Sequence, residues 1–283
     1  MNDAAVALGF AIFIWWFSTG IVILLNRMSR SAVVLSLLLS SLLGAAALVG
    51  LGHTAQQTSM TGAYCAFTCA LLAWGWNELS FLTGWITGPR TTALPPGTTG
   101  WRRFVESLRA VLWHELAILA VGLIILALTW DAPNQVGSAT YLVLWVMRTS
   151  AKLNLFFGVR NLSEAFLPTH LAYLQSFFRR RWMNAFFPFS VAAASLCLLV
   201  LFSYASSAAT TPAQVVGATL VGTLLALAIL EHLMLVLPLD TTALWRWAIR
   251  RGKGADTDQT FEAQKPTGLV VNLEKHDKLL QVR

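Results

Sequence analysis

Seven apolar runs, each close to the roughly 20 residues that carry a helix across about 30 Å of hydrocarbon, leave few folds open to this chain. They lie near Ala5–Leu25, Ala32–Leu51, Gly62–Ile86, Val105–Leu128, Ser138–Val159, Pro188–Tyr204 and Val215–Leu237. Lipid offers backbone N–H and C=O groups no partners, and the runs lack the alternation of barrel strands, so each is expected to be a helix. Composition points the same way. Of 283 residues, 56% are hydrophobic and only 12% charged, against roughly 25% charged in an ordinary soluble domain. The expected fold is all-α, a polytopic integral membrane protein of about seven transmembrane helices. The opening stretch, "MNDAAVALGF", has no basic residue before its apolar run and reads as a retained helix rather than a cleaved signal. Cys65, Cys69 and Cys197 all sit inside apolar runs; they offer no disulfide framework and read as small packing residues.

The basic residues set an expected orientation, because cytoplasmic loops carry the Lys and Arg excess. Connections bearing Arg27 and Arg30, then Arg90, Arg102 and Arg103, then Arg160, Arg179, Arg180 and Arg181, alternate with connections at 52–61, 129–137 and 205–214 that hold no Lys or Arg. The expected N-terminus is therefore periplasmic and the C-terminus cytoplasmic. A net charge of +7 needs no nucleic-acid partner, since topology and anionic headgroups of the lipid bilayer account for it. Residues 1–251 read as the transmembrane domain. Within it, "LPTHLAYLQSFFRRRWMNAFF" from Leu167 suits a helix at headgroup level near 167–181 that ends in Arg179, Arg180 and Arg181. "TTALWRWAIRR" repeats the theme, with Trp245 and Trp247 as interfacial anchors. Residues 252–283 are polar and glycine-interrupted, and are expected to form a flexible cytoplasmic tail. No repeat relates the halves, which weakens a transporter built from inverted repeats.

Chemistry concentrates inside the spans. Glu78, His114 with Glu115, Arg148 with Lys152, and Glu231 with His232 fall on four different runs. At 1.5 Å of rise per residue, all lie roughly 9–17 Å inside the same face. An ionised side chain at mid-membrane costs about 2.5–3.5 kcal/mol on insertion scales, so such residues turn inward and pair. Arg148 and Lys152, one helical turn apart, share a face, and Glu78, Glu115 and Glu231 are their expected partners. A small-residue stripe on the fourth run, Ser107, Ala110, His114 and Ala117, is expected to admit a neighbouring helix. Three readings stay open for the cluster. It can be a structural network fixing helix order; a site for iron, zinc, haem or a chlorin held by His114 or His232; or a path for protons or ions. Against a shared metal, the adjacent pairs His114–Glu115 and Glu231–His232 point about 100° apart on a helix. No nucleophile elbow, HExxH or phosphate-cradling loop is present. Glu164 and His170 read first as loop-capping residues, and His53 and His276 have no neighbours that suggest a site.

Four strings, "NELSFLTGWITGPR" (77–90), "HELAIL" (114–119), "APNQVG" (132–137) and "WVMRTSAKLNLFFGVRNLSEAFLPTHLAYLQSFFRRRWMN" (145–184), carry a family resemblance. The chain resembles the PuhE family of photosynthetic-complex assembly proteins of anoxygenic phototrophic bacteria. The similarity runs from the first span to the seventh, is densest over 75–190, and leaves out the tail after about Arg251. It implies a multi-pass protein of the bacterial inner (cytoplasmic or intracytoplasmic) membrane. The implied role is non-enzymatic: assembly of reaction-centre and light-harvesting complexes, or modulation of bacteriochlorophyll supply to them. Other photosynthetic membrane proteins would be its partners, with tetrapyrrole pigments a further one. The family supplies no catalytic residues to carry over. An intramembrane enzyme or pigment carrier binding iron, haem or bacteriochlorophyll through the polar cluster is the alternative.

Overall fold

The structure, a computed structural model, describes residues 2–162, 167–238 and 244–248. It is all-helical, and seven α-helices occur among the described residues: α1 (Asn2–Leu25), α2 (Arg30–Thr54), α3 (Met60–Leu82), α4 (Gly100–Leu128), α5 (Val136–Phe157), α6 (Phe186–Ala205) and α7 (Pro212–Met234). Five of them, α1, α2, α4, α6 and α7, are long and apolar enough to cross a membrane. The other two reach 23 and 22 residues but carry Asn77 and Glu78 on α3, and Arg148 and Lys152 on α5. Their polarity follows from their place. α3, α5 and α7 pack against one another at the centre, and α1, α2, α4 and α6 surround them.

Small residues make that centre possible. Ala63, Ala66, Ala70 and Ala73 are buried along one face of α3 at helical spacing, and Phe67 is buried between them. Val216, Leu220 and Leu224 of α7 close on Phe67 together with Ala7 and Ala11 of α1. The surrounding helices turn leucine and phenylalanine outward. Leu42 is 70% exposed and Phe202 71%, as expected of side chains that meet lipid.

The helix ends follow local chemistry. Ser59 accepts from the Gly62 N–H at the start of α3, and Thr211 and Gln214 form a capping box at the start of α7, with Pro212 in the first turn. α3 stops at Leu82, four residues short of the expected Ile86, because Gly84 turns the chain at a φ of +82°. α7 stops at Met234, three residues before the expected Leu237. There the Asn161 side chain donates to the carbonyls of Met234 and Leu237 and ends the helix.

The connections α2–α3 and α4–α5, which hold no Lys or Arg, meet at one end: Asn134 donates through its backbone to Ala55 O and through its side chain to Thr54 O. The arginine-rich connections gather at the other. Here the stretch from Leu167 forms a helix over Thr169–Phe177, of the 3₁₀ kind and shorter than the expected 167–181. Its buried residues are Leu171, Leu174 and Phe177, a spacing of three that matches three residues per turn rather than 3.6. Arg179, Arg180 and Arg181 lie beyond that helix in extended chain. The Arg179 carbonyl accepts from Val159 N, and the Arg181 N–H donates to Val159 O.

The small-residue stripe of α4 admits α3, whose Phe81 packs on Ala110 and stacks on His114, and it admits a loop as well. The α3–α4 connection lies on it, with Gly88 so close to the backbone of Arg109 and Ala110 that any side chain would collide. The His114 N–H donates to Thr87 O. The 3₁₀ helix completes the cover, through Leu171, Leu174 and Phe177 against Phe81 and Ala110.

Residues 244–248 fold back on α1. Trp245 is buried; its indole donates to Trp16 O, while the Trp16 indole donates to Leu244 O. Trp247 lies over Gly20, where even a methyl group would overlap its ring. Gly20→Val is therefore expected to release this segment, seen as faster hydrogen exchange at 244–248 with exchange in α3, α5 and α7 unchanged. The expected tail, 252–283, lies outside the described residues, as does Glu164.

Candidate functional site

Polar residues on α3, α4 and α5 meet in the interior as two ion pairs. Arg148 donates from Nη2 to Glu78 Oε2 at 3.0 Å, and Lys152 from Nζ to Glu115 Oε1 at 2.5 Å. One turn of α5 thus binds α3 at Arg148 and α4 at Lys152, which is what the four-residue spacing allows. Lys152 is the more enclosed cation, its side chain 24% exposed against 42% for Arg148. The Arg148 contact is single, leaving Arg148 Nε and Glu78 Oε1 buried without hydrogen bonds.

Glu231 goes elsewhere. Its carboxylate accepts from the indole N–H of Trp15 on α1, at 3.0 Å, rather than from either cation. The next residue, His232, turns toward α5 and is buried. Its Nδ1 lies 2.9 Å from Ala228 O and its Nε2 2.9 Å from Ser150 Oγ. A carbonyl can only accept, so the proton sits on Nδ1 and the neutral ring receives the serine hydroxyl at Nε2. Both nitrogens of His232 are spent, and the ring has no lone pair left for a metal.

His114 is the opposite case. It is fully buried, its ring stacks on Phe81 with centroids 4.4 Å apart, and neither ring nitrogen has a hydrogen-bond partner. Glu115, its neighbour, points to Lys152 instead. The two His–Glu pairs therefore diverge, each member facing a different helix, as adjacent positions on a helix must. Among the described residues no group of three or more His, Cys, Asp or Glu is placed to hold a metal ion.

Several buried polar residues were not anticipated. Asn77 on α3 donates to the Tyr141 hydroxyl, which in turn donates to Ile118 O, so one relay ties α3, α5 and α4. Asn154 donates to Ser150 O and Ser190 Oγ. Asn184 donates to Asn154 and to Gly158 O, and accepts from the N–H groups that open α6. Arg103, buried at the start of α4, donates from Nη2 to Phe156 O at 2.8 Å and to Phe177 O at 2.5 Å. Asparagine within an apolar run was the available signal, because an amide in hydrocarbon must find a partner. At the arginine-rich end, Arg179–Arg181 serve the chain pairing with Val159, and Trp245 and Trp247 serve the docking on α1.

A model of the family described as "Protein of unknown function (DUF3623)" matches residues 1–256 of the chain. An uncharacterized 30.4 kDa protein in the puhA 5′ region of Rhodobacter capsulatus is 36% identical over 253 residues, covering 88% of this chain and 92% of that protein. No solved structure matches.

Proposed function

We propose, from the premise that this chain belongs to the DUF3623 family, that it is a non-enzymatic factor for assembling photosynthetic reaction-centre and light-harvesting complexes. The observation that carries the reading is the relative in the puhA 5′ region, the setting expected from the resemblance to the PuhE family. In this reading the chain is a seven-span protein of the bacterial inner membrane, with its arginine-rich end in the cytoplasm. The lipid-facing leucine and phenylalanine of α1, α2 and α6 then meet other membrane proteins or their pigments. The interior ion pairs support a scaffold role, because their charges are used to join α3, α4 and α5.

The test is purification of the tagged chain in mild detergent from a pigmented host, beside a strain lacking the gene. Reaction-centre or antenna polypeptides should co-purify, and the deletion strain should lose mature complexes while its pigment precursors stay chemically normal. A blocked precursor would overturn the reading.

One observation favours a second reading, that of a tetrapyrrole carrier: His114 is buried with both ring nitrogens unpartnered. An imidazole nitrogen can ligate the metal of a haem or chlorin. The same preparation should then show a stoichiometric pigment spectrum that His114→Ala removes without unfolding the protein. A colourless wild-type protein removes this reading and leaves the first.

A further inference from the structure

At the arginine-rich end, a cavity of about 620 Å³ lies between the start of α2, the α3–α4 connection and the 3₁₀ helix. Its polar lining is Arg30, Thr83, Thr87, Thr91, His170 and Tyr173, of which Thr83 already donates to Leu79 O, and it contains no carboxylate. Arg30 has no ion-pair partner among the described residues. His170 donates from Nε2 to Leu82 O, at 2.9 Å, and so holds the end of α3 against this wall. The Tyr173 hydroxyl is buried beside Thr87 without a well-formed hydrogen bond. A phenol is protonated at neutral pH, and burial raises that of Tyr173 further, so the hydroxyl can donate. A guanidinium with hydroxyl donors and no acid describes a receptor for an anion. A volume of this size, within the roughly 300–1,000 Å³ usual for small ligands, holds more than a bare ion.

The apolar surroundings say which anion. Val33 and Val34 of α2 and the indole of Trp85 complete the lining. Val34 begins a broad exposed apolar face of α2, within which Val34, Leu38 and Leu42 follow one another at one-turn intervals up from the cavity beside the equally exposed Leu35, Leu39 and Leu43. A soluble phosphate would leave that stripe unused, whereas an acyl chain would lie along it.

We propose that this cavity binds the phosphate headgroup of an anionic phospholipid, with Arg30 as the charged contact and the acyl chain along Val34, Leu38 and Leu42. The headgroup contacts are at a helix end whichever face of the membrane it occupies, so the site does not depend on the assembly or pigment reading, although its acyl-chain stripe shares the outward face of α2 with them.

The test is native mass spectrometry of the full chain in mild detergent, titrated with phosphatidylglycerol, phosphatidylcholine or inorganic phosphate. One phosphatidylglycerol should be retained per chain in preference to phosphatidylcholine. Arg30→Gln should weaken that retention about tenfold, the scale of one charge-assisted hydrogen bond, with Tm unchanged. Arg30→Lys should restore part of it. Arg102→Gln, at an exposed arginine outside the cavity, should leave it intact. Equal losses in Arg30→Gln and Arg102→Gln, or equal retention of both lipids, would overturn the site. Displacement by millimolar inorganic phosphate would overturn the lipid in favour of a soluble phosphate.

Discussion

Glu115→Ala should lower the amount of this protein in membranes severalfold, and Lys152→Ala added to it should restore most of the loss. The reason lies in the geometry of one contact: Lys152 Nζ and Glu115 Oε1 are 2.5 Å apart, and each side chain is about three-quarters enclosed, being 24% and 23% exposed. Removing either partner strands the other charge, which costs roughly 3–5 kcal/mol in buried pairs. That is a large share of the roughly 5–15 kcal/mol that holds an ordinary domain folded. Removing both leaves two small cavities and no charge, which is far less costly. Immunoblots of isolated membranes and Tm in detergent read the difference. A double variant no better than the single would show that the two residues do not act as a pair. Glu78→Ala should cost less than Glu115→Ala, because the Arg148 side chain it strands is 42% exposed against 24% for Lys152.

The sequence made the class of fold legible because a bilayer imposes one demand on every spanning segment, that its backbone bond internally. The expected runs therefore match α1–α7 to within five residues; the largest difference is the start of α4, at Gly100 rather than Val105, and α3 and α7 end early where Gly84 turns the chain and Asn161 takes the last carbonyls. Glu78 and Glu115 were legible as partners for Arg148 and Lys152 because depth along a helix is arithmetic. Lateral order is not. Nothing local to α7 says that Glu231 will face α1 and Trp15 while His232 faces Ser150 of α5. The 3₁₀ helix was hidden for another reason: Leu171, Leu174 and Phe177 fit one face of either a loose α-helix or a tight 3₁₀ turn. What decides is tertiary, the cover they give to Phe81 and Ala110. Arg103 was counted among the loop charges that set orientation, and only the fold shows it buried.

Arg103 should accordingly be the arginine whose loss is felt most at its own end of the bundle. Its guanidinium is 3.9 Å from the Phe156 ring centroid while Nη2 donates to the carbonyls of Phe156 and Phe177. It thereby joins α4, the C-terminal turn of α5 and the end of the 3₁₀ helix. Hydrogen bonds to a charged group are worth about 1.5–3 kcal/mol each, and a desolvated cation–π contact up to about 2 kcal/mol. Arg103→Ala also leaves two carbonyls without this donor, that of Phe177 in a buried contact. The expected result is a lower Tm together with hydrogen exchange that quickens over 169–181 before the central helices respond. Arg103→Lys should fall between, since an ammonium keeps the charge but cannot stack flat on Phe156 while reaching both carbonyls. If exchange over 169–181 stays at the wild-type rate in Arg103→Ala, the 3₁₀ helix is held by Leu171, Leu174 and Phe177 alone. In that case the arginine is not its tether.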